Sequence, residues 1–426
     1  MSQIEKSNLT VAVVGSGISG LGAAWLLSKK YDVHLFEADD RLGGHAHTVT
    51  VKEESGPVPI DTGFLVYNEL TYPNLTAFFK ELNVETVDSN MSLSVQVPHK
   101  NLEWSGTSLN SVFGQRKNLL KLSFYKMLLE ILRFGREAEA NVTLSRQHSW
   151  SLNDLLKNRN YSENFKSDYL LPIGAAIWST PETKMFDFPA ETFLIFFINH
   201  KLLQVNDRPV WRTVKNGSIQ YVQKAAAMVS KISLNTRVQE VERKNGKVVL
   251  RTTQGIFEFD KVVLATHAPI THQILKNQTQ EENRILGAIA YEANRTLLHT
   301  DQDVMPNSKV CWASWNVNGV MSKEKTTKVS LSYYLNLLQP LKTTKNYFVT
   351  LNPARDPQNI LREFKYSHPQ FDQKAIDAQK ELPSIQGHGE VYFAGAWSRY
   401  GFHEDGLLSA VNVARRMHVT APWNES

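Results

Sequence analysis

Residues 9–44 read LTVAVVGSGISGLGAAWLLSKKYDVHLFEADDRLGG. The apolar run Val11–Val14 has the length and β-branching of a buried strand. Gly15, Gly17 and Gly20 follow at once as GxGxxG, and Leu21–Leu27 opens a helix. The first glycine permits a tight turn, the second lets backbone approach a pyrophosphate, and the third lets helix pack on strand. Ser16, Ile18 and Ser19 complete the turn, whose helix N-terminus offers unpaired N–H groups to phosphate. Val33–Phe36 reads as the second strand. Glu37 ends it, 20 residues after Gly17, where a carboxylate can accept both hydroxyls of an unphosphorylated ribose. This order predicts an α/β chain with a Rossmann-like dinucleotide-binding domain.

The next residues distinguish the dinucleotide. Glu37-Ala38-Asp39-Asp40-Arg41-Leu42-Gly43-Gly44 resembles the E-x-x-x-R-x-G-G extension of amine oxidase-like flavoproteins. Asp61-Thr62-Gly63-Phe64 resembles the segment that passes beside the flavin in that family. The resemblance implies FAD, held in part by Glu37, Ala38, Arg41, Gly43, Gly44, Thr62, Gly63 and Phe64.

The chain has 426 residues, enough for two sizeable domains, and 42% of them are hydrophobic. Its one cysteine, Cys311, excludes internal disulfides and thiolate metal clusters, and beside Trp312 it reads as a small core residue. Zinc spacings, a P-loop and nucleic-acid motifs are missing, so neither a metal nor a nucleic acid is expected. MSQIEKSNLT carries no apolar core, so a signal peptide is not expected. Phe193–Ile198 is too short to span a bilayer. The net charge of +5 fits an anionic membrane or acidic substrate, and equally an ordinary solvated surface. The expected location is the cytoplasm, at most peripheral at the inner membrane face.

Two more clusters complete the cofactor domain. Ile232–Val238 reads as a strand entering a β-meander, Asn245-Gly246 is a hairpin signal, and KVVLAT over 261–266 is a buried parallel strand. By the flavoprotein resemblance Val238 contacts the adenine side, and Ala265 and Thr266 pass the dinucleotide. Near the C-terminus VYFAG (391–395) is a strand with a small-residue end, and Leu407–Met417 reads as a helix. The loop between them holds Gly395, Ala396, Gly401, Phe402, His403 and Gly406, and in the family such a loop presents N–H groups to the flavin. The FAD-binding domain is therefore expected to be discontinuous, over 8–75, 205–275 and 385–420. Residues 76–204 and 276–384 are expected to form an α+β substrate domain, the whole being of the amine oxidase/glutathione reductase type. Within it, 117–137 has a wide apolar face with a basic edge, which suits a membrane-surface helix and equally a helix packed beneath the domain.

The resemblance extends further. RLGGHAHTV, DTGFLVYNELTYPNL, PIGAAIWSTP, WRTVKNGSIQYV, WASWN, YFVTLNP and AGAWSRYGFHEDGL occur in one order along the chain. Together they resemble a bacterial family of predicted NAD/FAD-binding proteins whose genes neighbour cyclopropane-fatty-acyl-phospholipid synthases. One branch includes the flavin-dependent desaturase of methylated fatty acyl chains in furan fatty acid synthesis. The resemblance implies an FAD-dependent oxidoreductase that desaturates a methylated or unsaturated acyl chain, phospholipid-linked, with an acyl-modifying methyltransferase as a partner. A redox-neutral fatty acid double-bond isomerase and an amine oxidase are the alternatives. The broader amine oxidase pattern has Arg after Gly-Gly, whereas here His45 stands there, followed by His47. His45 is therefore a candidate for cofactor contact and catalysis, and equally a hydrogen-bonded structural residue. His403 is the first candidate for acid/base or positioning work. Glu404 is a second catalytic candidate, or a helix cap. Tyr67 and Trp178 are pocket aromatics or core. Lys215 is the lysine an amine oxidase would need, its orientation not being legible.

Overall fold

A computed structural model describes residues 6–178, 180, 182–203, 209–321 and 327–424. Five parallel strands form the cofactor-domain sheet: β1 (Thr10–Val14), β2 (Asp32–Phe36), β3 (Lys231–Ser233), β4 (Lys261–Leu264) and β5 (Val391–Phe393). Their order is β3-β2-β1-β4-β5. Strand order reverses at β1, so the carboxyl ends of β1 and β4 form the crevice where a doubly wound sheet binds its ligand. Ile232 lies in β3, beside β2. The stretch expected to enter the meander thus joins the parallel sheet, and the meander begins only at Val238. It runs through Val238–Lys244, Lys247–Thr252 and Gly255–Phe259.

The meander side has its own apolar core, with Ala12, Val14, Phe36, Val238 and Leu264. The other face is covered by α1 (Ile18–Leu27), whose ten residues are all buried. The same apolar cluster includes α2 (Pro73–Glu81) through Leu75, Phe78 and Phe79.

The second body is a seven-stranded sheet. From edge to edge it holds Ile360–Pro369, Tyr291–His299, Phe348–Leu351, Thr327–Tyr334, Trp315–Met321, Leu93–Val97 and Leu102–Ser105. Helices from 122–199 pack beside it, among them α3 (Leu122–Arg136) and α4 (Ala190–Asn199). The helix expected over 117–137 is broken. Arg116–Leu120 forms a short 3-10 turn, and buried Asn118 donates to the Glu103 carbonyl, fixing the break. The C-terminal helix α5 (His403–Arg416) starts earlier than the pattern suggests and returns against α1. Among the described residues no helix is long and apolar enough to cross a membrane.

Candidate active site

The turn after β1 is built for an anion. Gly15 holds φ +96°, and a Cβ there would lie 2.9 Å from the Ala265 carbonyl oxygen, at the end of β4. Gly20 packs directly on the Gly15 carbonyl, and space beside Gly17 is open. Gly17 caps α1 without a side chain, and the first turn of α1, with Ile18, Ser19 and Gly20, carries no acidic residue. Its N–H groups are thus left for a ligand. Glu37 closes β2 and accepts from Ser16 N (2.9 Å) and Ser16 Oγ (2.5 Å) with one oxygen, and from Asp39 N with the other.

Ala38 leads to the second turn, where Gly43 and Gly44 both have positive φ. A Cβ on Gly44 would come within 3.1 Å of the Gly17 Cα, so only glycine lets the two turns meet. Arg41 donates to the Gly44 carbonyl at 2.8 Å and braces the turn. The chain then runs beside the DTGF segment: Phe64 N donates to the His45 carbonyl (2.8 Å) and Thr62 N to that of His47 (2.9 Å). A Cβ on Gly63 would sit 2.2 Å from the His45 carbonyl oxygen.

The C-terminal loop closes the same crevice. Trp397 Nε1 donates to the Thr266 carbonyl (3.2 Å), and Gly395 N donates to Ser409 Oγ (2.9 Å). Gly401 N donates to the Ala396 carbonyl. Gly406 packs on Ile18 and Ser19, so the N-terminal turns of α1 and α5 converge.

Above this cradle lies a cluster of buried imidazoles. His45 has His368, His267 and Tyr366 at ring-centroid distances of 5.3, 6.1 and 5.1 Å, and its Nε2 is buried without a protein partner. His403 stacks on Phe64 at 3.8 Å and shares a hydrogen bond with the Tyr221 hydroxyl. His47 and Thr62 both bond the Tyr366 hydroxyl, at 2.9 and 2.7 Å. Burial pushes His403 down to about 3 and His47, His267 and His368 to about 4. It holds His45 well below the ordinary histidine value, with help from His368, His267 and His403. These rings are neutral near pH 7. Asn294 Nδ2 donates to His368 Nδ1 (2.9 Å), and Asn352 Nδ2 donates to Asn294 Oδ1 (2.6 Å). With Nδ1 accepting, His368 carries its proton on Nε2.

These residues fit FAD: uncapped helix N–H groups for the pyrophosphate, Glu37 for the ribose, and an orphaned His45 nitrogen in a buried polar cluster. The sequence profile of flavin containing amine oxidoreductases matches residues 18–351. The chain belongs to that family. Its cofactor is FAD. This flavoprotein is 21% identical to the polyenoic fatty acid isomerase of Ptilota filicina, over 91% of this chain and 90% of that protein. It shares its fold with the CLA-producing fatty acid isomerase from P. acnes, with a TM-score of 0.69, 13% identity and coverage of 96% and 99%. It shares it also with the cyclohexylamine oxidase of Brevibacterium oxydans, with a TM-score of 0.67, 15% identity and coverage of 97% and 100%.

Several expected site residues stand elsewhere in the flavoprotein. Glu404 is spent on another helix: it accepts from Asn74 N and Nδ2 and from Leu75 N, capping α2. The capping alternative fits this geometry, although the helix capped is α2 and not its own. Asp405, pushed by burial up to about 7, accepts from Phe402 N and closes α5. Tyr67 lies in the core of the cofactor domain, against Phe79 and bonded to Thr86, not in a pocket. The Val238 side chain is packed in the meander core. Lys215 pairs with Glu85 at the surface. Trp178 sits among Phe188, Phe193 and Phe196, and its indole nitrogen is buried without a partner. Phe196 stacks in turn on Phe402 at 4.9 Å, which links Trp178 to the cofactor loop.

His267, His368, Tyr366, Asn294 and Asn352 join the cluster without standing in any motif of the sequence. One signal was available: Phe364, Tyr366 and His368 alternate along one strand, so all three share a face.

Proposed function

We propose that this flavoprotein shifts a double bond along an unsaturated fatty acyl chain, hydride leaving an allylic carbon and returning to another carbon of the same chain. The observation that carries this reading is the set of buried, neutral imidazoles at the cofactor crevice, beside an apolar cluster running from Phe402 to Trp178. The full-length similarity to a polyenoic fatty acid isomerase supports it.

FAD, when bound, supplies the hydride acceptor. The glycine turns, the first turn of α1 and Glu37 hold its dinucleotide. His45, His368 and His403 line the crevice without adding charge, and the Phe196–Trp178 cluster offers an apolar bed that keeps water from the chain. Loss of a hydride would leave a delocalised cation on the acyl chain, and imidazoles held at about 3 or 4 would be poor bases toward its remaining hydrogens. A hydride given back to another carbon of the same chain would complete a shift with no net oxidation and no proton exchanged.

Desaturation of a methylated chain is the second reading, favoured by the resemblance carried on RLGGHAHTV and AGAWSRYGFHEDGL. It needs a base for the second hydrogen, and imidazoles held at about 3 or 4 are poor bases near pH 7. An amine oxidase would need a lysine at the flavin, and Lys215 pairs with Glu85 at the surface instead.

Anaerobic incubation with a fatty acid bearing methylene-interrupted double bonds tests the proposal. Conjugated-diene absorbance should rise over many turnovers while the flavin remains yellow. One equivalent of flavin bleaching followed by arrest would mean desaturation, and bleaching by amines alone would overturn the acyl reading.

A further inference from the structure

Helix α3 exposes the wrong kind of surface for water. Leu122 is 86% exposed, Leu129 67% and Leu132 55%, and Leu120 in the preceding turn is 89% exposed. Positions 122, 125, 129 and 132 fall on one helix face, and Tyr125 joins the three leucines there. Phe124, Met127 and Phe134 on the opposite face are buried, so the domain core does not account for this stripe.

The charges around the stripe have one sign. Lys117, Lys121, Lys126 and Arg136 make no ion pair among the described residues, whereas Arg133 is held by Glu137 and lies over the Tyr161 ring. Glu130, the one acid in α3, is buried and its carboxylate is taken by Ser162 N and Oγ. A second copy docked here about a two-fold axis would bring these cations face to face. An anionic lipid surface would neutralise them, each cation adding about fivefold to partition.

We propose that α3 and the turn before it seat this protein on an anionic membrane surface. Leu120, Leu122, Leu129 and Leu132 enter the acyl region, and Lys117, Lys121, Lys126 and Arg136 lie at phosphate level. Beneath α3, Phe124, Met127 and Phe134 belong to the same apolar cluster as Trp178 and Phe196, against which Phe402 packs. An acyl chain drawn from the bilayer would then meet an apolar core that continues to the cofactor crevice. That last step rests on the acyl-chain reading; the docking does not.

Flotation of the full-length holoprotein with vesicles separates the two, because it reads no catalysis. With phosphatidylcholine vesicles containing phosphatidylglycerol, the protein should float, and added salt should release it. Vesicles of phosphatidylcholine alone should bind it weakly. Leu122→Glu/Leu129→Glu should lower partition at least about tenfold while keeping full flavin absorbance, which certifies the fold. Wild-type protein left unfloated, equal flotation of the double variant, or equal binding to both vesicle types would overturn the proposal. So would a solution dimer that the double variant dissociates.

Discussion

The imidazoles of His45, His267, His368 and His403 share one cause for their neutrality, which is burial, and neighbouring imidazoles push His45 and His368 further down. Their folded values lie below the ordinary 6.5, so in mild acid the unfolded chain binds more protons than the folded one. Stability should therefore be full above about pH 6.5 and fall steadily as pH drops toward about 4. Urea midpoints taken across that range should show the decline, and His403→Phe should flatten it by close to one proton. A curve unchanged by that substitution would remove His403 from the explanation. Asn294 makes a sharper case. As the donor to His368 Nδ1 it is a positioning residue, and Asn294→Asp would replace the donor by an acceptor with charge. The acid limb of the kcat/KM profile should then move up by about one pH unit or more. Asn294→Leu should lower activity without that shift. Identical profiles for the two variants would mean that Asn294 only fills space. None of this network was legible in the sequence, since His368 and Asn294 come from two neighbouring strands and Asn352 from the bend after a third, brought together only in the folded sheet.

At the level of elements, legibility followed sequence distance. The β1–turn–α1–β2 unit needs only local signals: a β-branched run, glycines at fixed offsets, and a carboxylate at a strand end. Its boundaries therefore agree with expectation within a few residues. The three-residue strand β3 is too short to announce its partner, and β2 lies nearly 200 residues away. The break before α3 depends on Asn118 reaching the Glu103 carbonyl, a tertiary contact that no periodicity reveals. Two substitutions test what holds the elements in place. Glu404→Ala removes the carboxylate from the N-terminus of α2 and should cost about 1–2 kcal/mol in denaturant unfolding, with kcat changed far less. A collapse of kcat at unchanged stability would restore the catalytic reading of Glu404. Gly63→Ala should force residues 62–64 away from His45, because the new methyl would overlap its carbonyl oxygen. Purified protein should then carry little flavin, as read by absorbance per chain, and a fully yellow variant would contradict the close approach.

Across the whole molecule, two bodies meet at one crevice. The cofactor domain contributes glycine turns and helix ends, and the seven-stranded sheet contributes Tyr366 and His368 from an edge strand and Asn294 from the strand beside it. The first contribution was legible because phosphate binding constrains backbone, and backbone demands glycine at fixed spacing. The second was not, because a neutral imidazole owes its state to everything packed around it. The proposed isomerase rests on that combination: a crevice whose residues fit FAD, imidazoles that would take no proton, and an apolar cluster beside them. Its most direct test is the fate of the migrating hydrogen. A polyunsaturated fatty acid deuterated at the methylene between two double bonds should give an isomer that keeps the deuterium at a new carbon of the same chain, without oxygen uptake. Deuterium lost to solvent, or product formed only in step with oxygen consumption, would contradict it.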